Sequence, residues 1–137
     1  MSIETYCHNH ILVVKMARPE KRNALNSAIT AGIDAAMNEL EDNPELWCGI
    51  LTGTESVFSA GADLAEGPGE PTERGGIVGL INRKRSKPLI AAVEGLTLGG
   101  GGASFVLRPG YCIVYSGVWF ARGKAWVNAR LWRGIPN

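Results

Sequence analysis

The chain has 137 residues, 45% of them hydrophobic and 20% charged, with a formal net charge of +1. That is one domain's worth of residues, too apolar for a disordered segment and too evenly charged for a nucleic-acid binder. No apolar run approaches the roughly 18 residues of a membrane span, and the polar start Met1-Ser2-Ile3-Glu4 lacks a signal-peptide pattern, so a cytoplasmic protein with no membrane contact is expected.

The apolar run Ile11-Leu12-Val13-Val14, ending at Met16 and broken by Arg18-Pro19, predicts a buried strand followed by a loop. Asn26 is a good N-cap. From Ser27 to Asp42 the apolar positions Ile29, Ile33, Ala36, Met37 and Leu40 recur at three- and four-residue spacing until Asn43-Pro44, the pattern of an amphipathic helix. A second strand is expected near 48–53, followed by a Gly/Ser/Pro-rich loop over 53–71 that is too long for a mere connector. A weaker helical stretch is read at Glu73–Lys87. Pro88 ends it, and Leu89-Ile90-Ala91-Ala92-Val93 then reads as a third buried strand. Strands alternating with helices imply right-handed crossovers and a mainly parallel α/β sheet. The glycine run Gly99–Gly102 follows, where backbone N–H groups can approach a ligand without a Cβ in the way, and Ala103–Leu107 could open a helix.

Composition shifts along the chain. Residues 1–94 carry 9 Lys/Arg against 13 Asp/Glu, whereas residues 95–137 carry 5 Lys/Arg and no acid at all, with three of the four tryptophans. Such a shift marks a boundary, placed here between a core at 1–102 and a basic, Trp-rich tail at 103–137. The cysteines Cys7, Cys48 and Cys112 are odd in number and widely spaced, encoding neither a disulfide framework nor a zinc motif. Cys7, His8 and His10 lack a fourth ligand nearby, so no metal is expected.

Three segments together resemble the crotonase family, the enoyl-CoA hydratases and isomerases of acyl-CoA metabolism. They are Arg18-Pro19-Glu20-Lys21-Arg22-Asn23-Ala24-Leu25-Asn26, then Leu51-Thr52-Gly53 to Phe58-Ser59-Ala60-Gly61-Ala62-Asp63-Leu64, and Lys87-Pro88-Leu89-Ile90-Ala91-Ala92-Val93-Glu94-Gly95 to Leu98-Gly99-Gly100-Gly101. The resemblance covers about residues 11–102. It implies a fragment of the crotonase ββα spiral, truncated relative to the family. It also implies an acyl-CoA thioester as partner, with coenzyme A entering only as part of the substrate and no other cofactor. The backbone N–H groups of Ala62 and Gly100 match the family's oxyanion hole, where preorganised amides stabilise an enolate oxygen by roughly 3 kcal/mol per donor. Lys21, Arg22, Ala24, Leu25, Ala60, Asp63, Leu64, Leu98 and Gly99 match its substrate-binding loops. Lys21 and Arg22 offer charge to the coenzyme A phosphates, the Arg22–Leu25 stretch lines the channel, and Asp63 organises the loop.

The same resemblance shows where the pattern breaks. The family's two glutamates, which move protons to and from the substrate, correspond to Ala103 and Lys124, so catalysis by this chain alone is expected to be impaired. The family's trimer contacts lie in C-terminal helices without counterparts here, leaving this chain's own oligomerisation without its usual support. A slip of the coding frame near the glycine run would account for these departures together, the alternative being ordinary divergence of an evolved tail. Read one nucleotide later, the single codons of Trp119 and Trp126 are both forced to glycine, and Val118–Val127 can spell F-G-L-P-E-V-K-R-G-L, the family's second-glutamate motif. On that reading the tail tryptophans are accidents of codon usage and not a stacking platform for nucleic acid. The competing reading is a non-catalytic acyl-CoA-binding or oligomer-assembly module.

Overall fold

The structure, a computed structural model, describes residues 2–99, 111–122 and 125–129. β1 (Ile3–His8) and β2 (Ile11–Met16) form an antiparallel hairpin whose turn places Asn9 at a positive φ of 52°. Asn tolerates that region better than most residues. A 16-residue helix, α1 (Ser27–Asp42), follows, then β3 (Cys48–Thr52), the short β4 (Val57–Ser59) and β5 (Leu89–Thr97). β6 (Tyr111–Arg122) and β7 (Ala125–Ala129) complete a sheet ordered β1-β2-β3-β5-β6-β7, with β4 paired to the far half of β5. The pairs β2–β3, β3–β5, β4–β5 and β5–β6 are parallel, so the expected mainly parallel α/β sheet is observed. The helix expected at 103–107 lies outside the described residues.

α1 forms as its sequence pattern predicts. Asn26 Oδ1 accepts the Ile29 N–H at 3.1 Å, satisfying one of the donors left free at a helix start. Ile29, Ile33, Ala36, Met37 and Leu40 then line the buried face and pack on Leu12, Val14, Leu51, Leu89 and Ala91 of the parallel strands. At the other end Lys87 Nζ donates to the carbonyls of Leu40 at 2.6 Å and Asn43 at 2.7 Å, placing a cation where free carbonyls collect. No helix among the described residues is long and apolar enough to cross a membrane.

One strand goes unread in the sequence, and one expected helix is corrected. β1 escapes sequence reading because it is an edge strand with only Ile3 buried, so it carries no apolar alternation. The helix expected over 73–87 is absent. Only a three-residue 3-10 turn, Ile77–Gly79, forms there, because Gly76 and Gly79 take positive φ and fold the chain tightly back on itself. That segment spends its polar groups on α1 instead. Thr72 Oγ1 donates to Asp34 Oδ1 at 2.7 Å, and the buried Arg83 guanidinium donates to Asp34 and to Asn38 Oδ1. Burial pushes the Arg83 pKa below its ordinary value against the opposing pull of Asp34.

The end of β5 positions the site. Gly95 sits at a break in the β5–β6 register with φ of 71°, and a Cβ there would strike the Ser56 carbonyl, so only glycine lets β4 lie this close. Leu96 N–H then donates to Ser56 O at 3.0 Å and Leu98 N–H to Ser59 O at 2.9 Å. The turn after β5 is thereby brought beside the loop after β4.

Candidate active site

Three chain segments meet here: the loop 18–26 between β2 and α1, the loop 59–66 after β4, and residues 96–99 at the end of β5. Asn23 is the strut between the first two. It is fully buried, and its side chain accepts the Arg18 N–H at 2.8 Å and donates to the carbonyls of Val57 and Phe58, each at 3.2 Å. Ser59 Oγ donates to Asn23 O at 2.9 Å and accepts the Gly61 N–H at 3.1 Å. Ala60 N–H adds a bond to Arg22 O at 2.9 Å. Each buried polar group here is matched, as a low-dielectric interior requires.

Ala62 lies opposite Leu25 in an isolated parallel bridge. The bridge uses the Leu25 N–H, which donates to Gly61 O at 2.8 Å, and the Leu25 carbonyl, which accepts the Asp63 N–H at 2.8 Å. The Ala62 N–H therefore faces away from Leu25, and it meets no acceptor among the described residues. Gly99, at φ of 53°, closes on the same turn, since a Cβ on it would stand 3.8 Å from the Gly61 Cα. Gly100, the other predicted amide, lies outside the described residues, as do Ala103 and Lys124.

The remaining predicted residues fall into distinct environments. Lys21 and Arg22 are exposed, Arg22 with left-handed φ of 51° at the end of a short 3-10 turn. Ala60 and Leu98 are half-buried beside the turn, and Leu64 projects wholly into solvent. Ala24 is half-buried and its carbonyl accepts from Arg18. Leu25 is 1% exposed and its side chain belongs to the hydrophobic core, so it contributes to the site through its backbone alone. Asn23 is likewise inside and does not line a channel.

Asp63 accepts the Ala65 and Glu66 N–H groups on Oδ1, at 2.9 and 3.1 Å, and a charged bond from Arg18 on Oδ2 at 2.7 Å. The Arg18 guanidinium, followed by the two backbone donors, holds the Asp63 carboxyl down at a pKa of about 2. Glu66 spans the same region, accepting from Arg18 Nη2 at 3.3 Å and from Asn26 Nδ2 at 3.0 Å. Arg18, Ser59 and Glu66 carry this geometry, and sequence reading assigned none of them to the site. Their long-range partners lie 36 to 48 residues away in the chain, beyond any local pattern.

Two glycine turns, at Gly61 and Gly99, thus converge just beyond the parallel strands β4 and β5 of an α/β sheet. The sequence profile described as enoyl-CoA hydratase/isomerase matches residues 7–115. The chain belongs to the enoyl-CoA hydratase/isomerase family. It is 42% identical over 99 residues to mevalonyl-coenzyme A hydratase sidH of Aspergillus fumigatus, a match covering 67% of this chain and 37% of that protein. To enoyl-CoA hydratase EchA19 of Mycobacterium tuberculosis it is 37% identical over 102 residues, covering 67% and 38%. Among solved structures, EchA1_1 from Mycobacterium paratuberculosis superposes with a TM-score of 0.78 at 31% identity, covering 87% of this chain and 48% of that one. The chain thus spans less than half the length of these relatives.

Proposed function

We propose that this chain binds an acyl-CoA thioester, with the Ala62 N–H and that of Gly100 as donors to the thioester carbonyl, and that it lacks the proton transfers needed to hydrate or isomerise an enoyl group. The observation that carries the reading is the Ala62 amide, held in place on both sides by bonds to Leu25 and left without an acceptor of its own. Ala62 is exposed, and an amide held in a fixed direction with no protein acceptor, at a turn of small residues beside Gly99, is open to a ligand oxygen, as preorganised main-chain donors of an oxyanion hole must be. The approach of Gly99 to Gly61 supports a second donor from the next residue. Lys21 and Arg22, exposed at the rim, supply positive charge suited to coenzyme A phosphates.

The missing proton transfers rest on chemistry and composition. Hydration needs one group to take a proton from water and one to protonate the α-carbon, and no Asp or Glu occurs after Glu94. Ala103 and Lys124 hold the positions that the family's glutamates occupy. Titration calorimetry with crotonyl-CoA and with coenzyme A tests the reading. Tighter binding of the thioester, with no hydrated product after prolonged incubation, is expected. Equal affinity for the two ligands contradicts the oxyanion-hole assignment, and product above background contradicts the loss of catalysis.

A further inference from the structure

The side chain that organises these loops is one that makes no contact with the proposed ligand position. Arg18 follows β2 with its guanidinium only 9% exposed. Nη1 donates to Asp63 Oδ2 at 2.7 Å and to the Ala24 carbonyl at 3.0 Å, Nη2 donates to Glu66 Oε1 at 3.3 Å, and Nε lies 3.9 Å from Glu20. One planar fork thus spans both loops, which a lysine ammonium could not do. The bond to Asp63 raises the Arg18 pKa further above its ordinary value, so the cation persists at every accessible pH.

What this clamp controls follows from peptide geometry. The Ala62 N–H belongs to the same planar trans unit as the Gly61 carbonyl, so fixing one fixes the direction of the other. The Gly61 carbonyl is fixed by the Leu25 N–H, yet Gly61 itself, at φ of 91°, imposes little steric preference on that plane. The aim of the amide therefore depends on keeping Ala24-Leu25 against Gly61–Asp63. Arg18 alone among the described cations bridges those two stretches, holding Ala24 on one side and Asp63 on the other. Glu66 extends the tie through Asn26 to the start of α1.

We propose that Arg18 is the positioning residue of this site, clamping Asp63 to Ala24 so that the Ala62 N–H stays aimed at the thioester oxygen; this rests on the acyl-CoA reading above. A hydrogen bond that polarises a carbonyl is sensitive to direction, whereas grip on the rest of coenzyme A is not.

The test is the infrared carbonyl stretch of butyryl-CoA carrying carbon-13 at the thioester, bound to the whole chain, with affinities for butyryl-CoA and coenzyme A measured alongside. With the unaltered chain the bound stretch should fall below its value in water, and the thioester should bind more tightly than coenzyme A. Arg18→Met and Asp63→Asn should each abolish most of the frequency shift and reduce that preference by about tenfold, the value of one well-aimed hydrogen bond, with coenzyme A affinity within about twofold. Arg18→Lys, which restores charge without the fork, should recover part of the shift. Arg74→Ala, which removes an exposed pair with Asp42 at the opposite end of α1, should leave it whole. Asp63→Asn keeps an acceptor for the Ala65 and Glu66 amides, so it decides the matter if Arg18→Met does not fold. A full shift and preference in folded Arg18→Met or Asp63→Asn overturns the proposal, and so does a parallel loss of both affinities, which would mark a merely structural role. No shift in the unaltered chain overturns the acyl-CoA reading itself, a failure visible before any variant is made.

Discussion

The α1 face and the loop cluster at 18–26 and 59–66 are held together in opposite ways. Under α1, Ile29, Ile33, Met37 and Leu40 pack on Leu12, Val14, Leu51 and Leu89, an apolar set in which each side chain shares its role with several neighbours. Around Ala62, single polar groups act alone: Asn23 for the carbonyls of Val57 and Phe58, Ser59 for Gly61, and Arg18 for Asp63 and Ala24. Burial of apolar area is non-directional, so it stabilises the sheet without aiming anything. Hydrogen bonds have direction, and the turn that carries the Ala62 N–H takes its orientation from them. The core should therefore set stability, and the loops should set discrimination between a thioester and free coenzyme A.

The two regions can be separated by substitution. Leu40→Ala, at a fully buried position, should cost about 2–5 kcal/mol in urea unfolding and leave the preference of the folded protein for thioester unchanged. A change in that preference would show that the core and the loops are not independent. Asn23→Ala should cost nearly as much, about 2–4 kcal/mol, because it orphans buried carbonyls and puts alanine at a left-handed φ of 51°. Unlike the core change it should also erase the preference. Asn26→Ala removes the helix cap and should cost about 1 kcal/mol. Its effect on binding should be small, since Glu66 keeps its bond to Arg18.

The smallest effect expected at neutral pH concerns Asp63. Its folded pKa of about 2 lies below the ordinary 3.8, so the fold favours the carboxylate. The clamp should be complete above about pH 4 and weaken as pH falls from there toward 2. The ratio of butyryl-CoA to coenzyme A affinity, in which the shared phosphate and adenine titrations cancel, should be flat down to about pH 4 and fall below it. A ratio that declined well above that range would place the controlling group elsewhere.

How much of this was legible in the sequence follows the same division. The three-and-four spacing from Ile29 to Leu40 and the cap at Asn26 give α1 its observed bounds, and the apolar runs give β2, β3 and β5. These depend on periodicity, a local property. β1 was hidden because only Ile3 of its six residues is buried, and the glycine turns at 76 and 79 defeat a helix that the apolar pattern of 73–87 allows. Resemblance identified the turns that carry Ala62 and Gly99. It also drew Leu25 and Asn23 toward a channel, because a motif records which residues matter and not whether they act by touching a ligand or by holding the backbone that does. Arg18 stands at the head of the first motif, yet its partner Asp63 is 45 residues away, and only the folded chain brings them within hydrogen-bonding distance.

The central claim is that this chain grips and polarises a thioester carbonyl without the groups that move protons. The most direct measurement is the ultraviolet spectrum of crotonyl-CoA mixed with an equal amount of the chain and followed over time. Donation from Ala62 and Gly100 to the carbonyl should move the enoyl absorption at once to longer wavelength, and the band should then persist unbleached. An unmoved band would contradict the oxyanion hole, and a band that shifts and then decays would contradict the loss of acid and base.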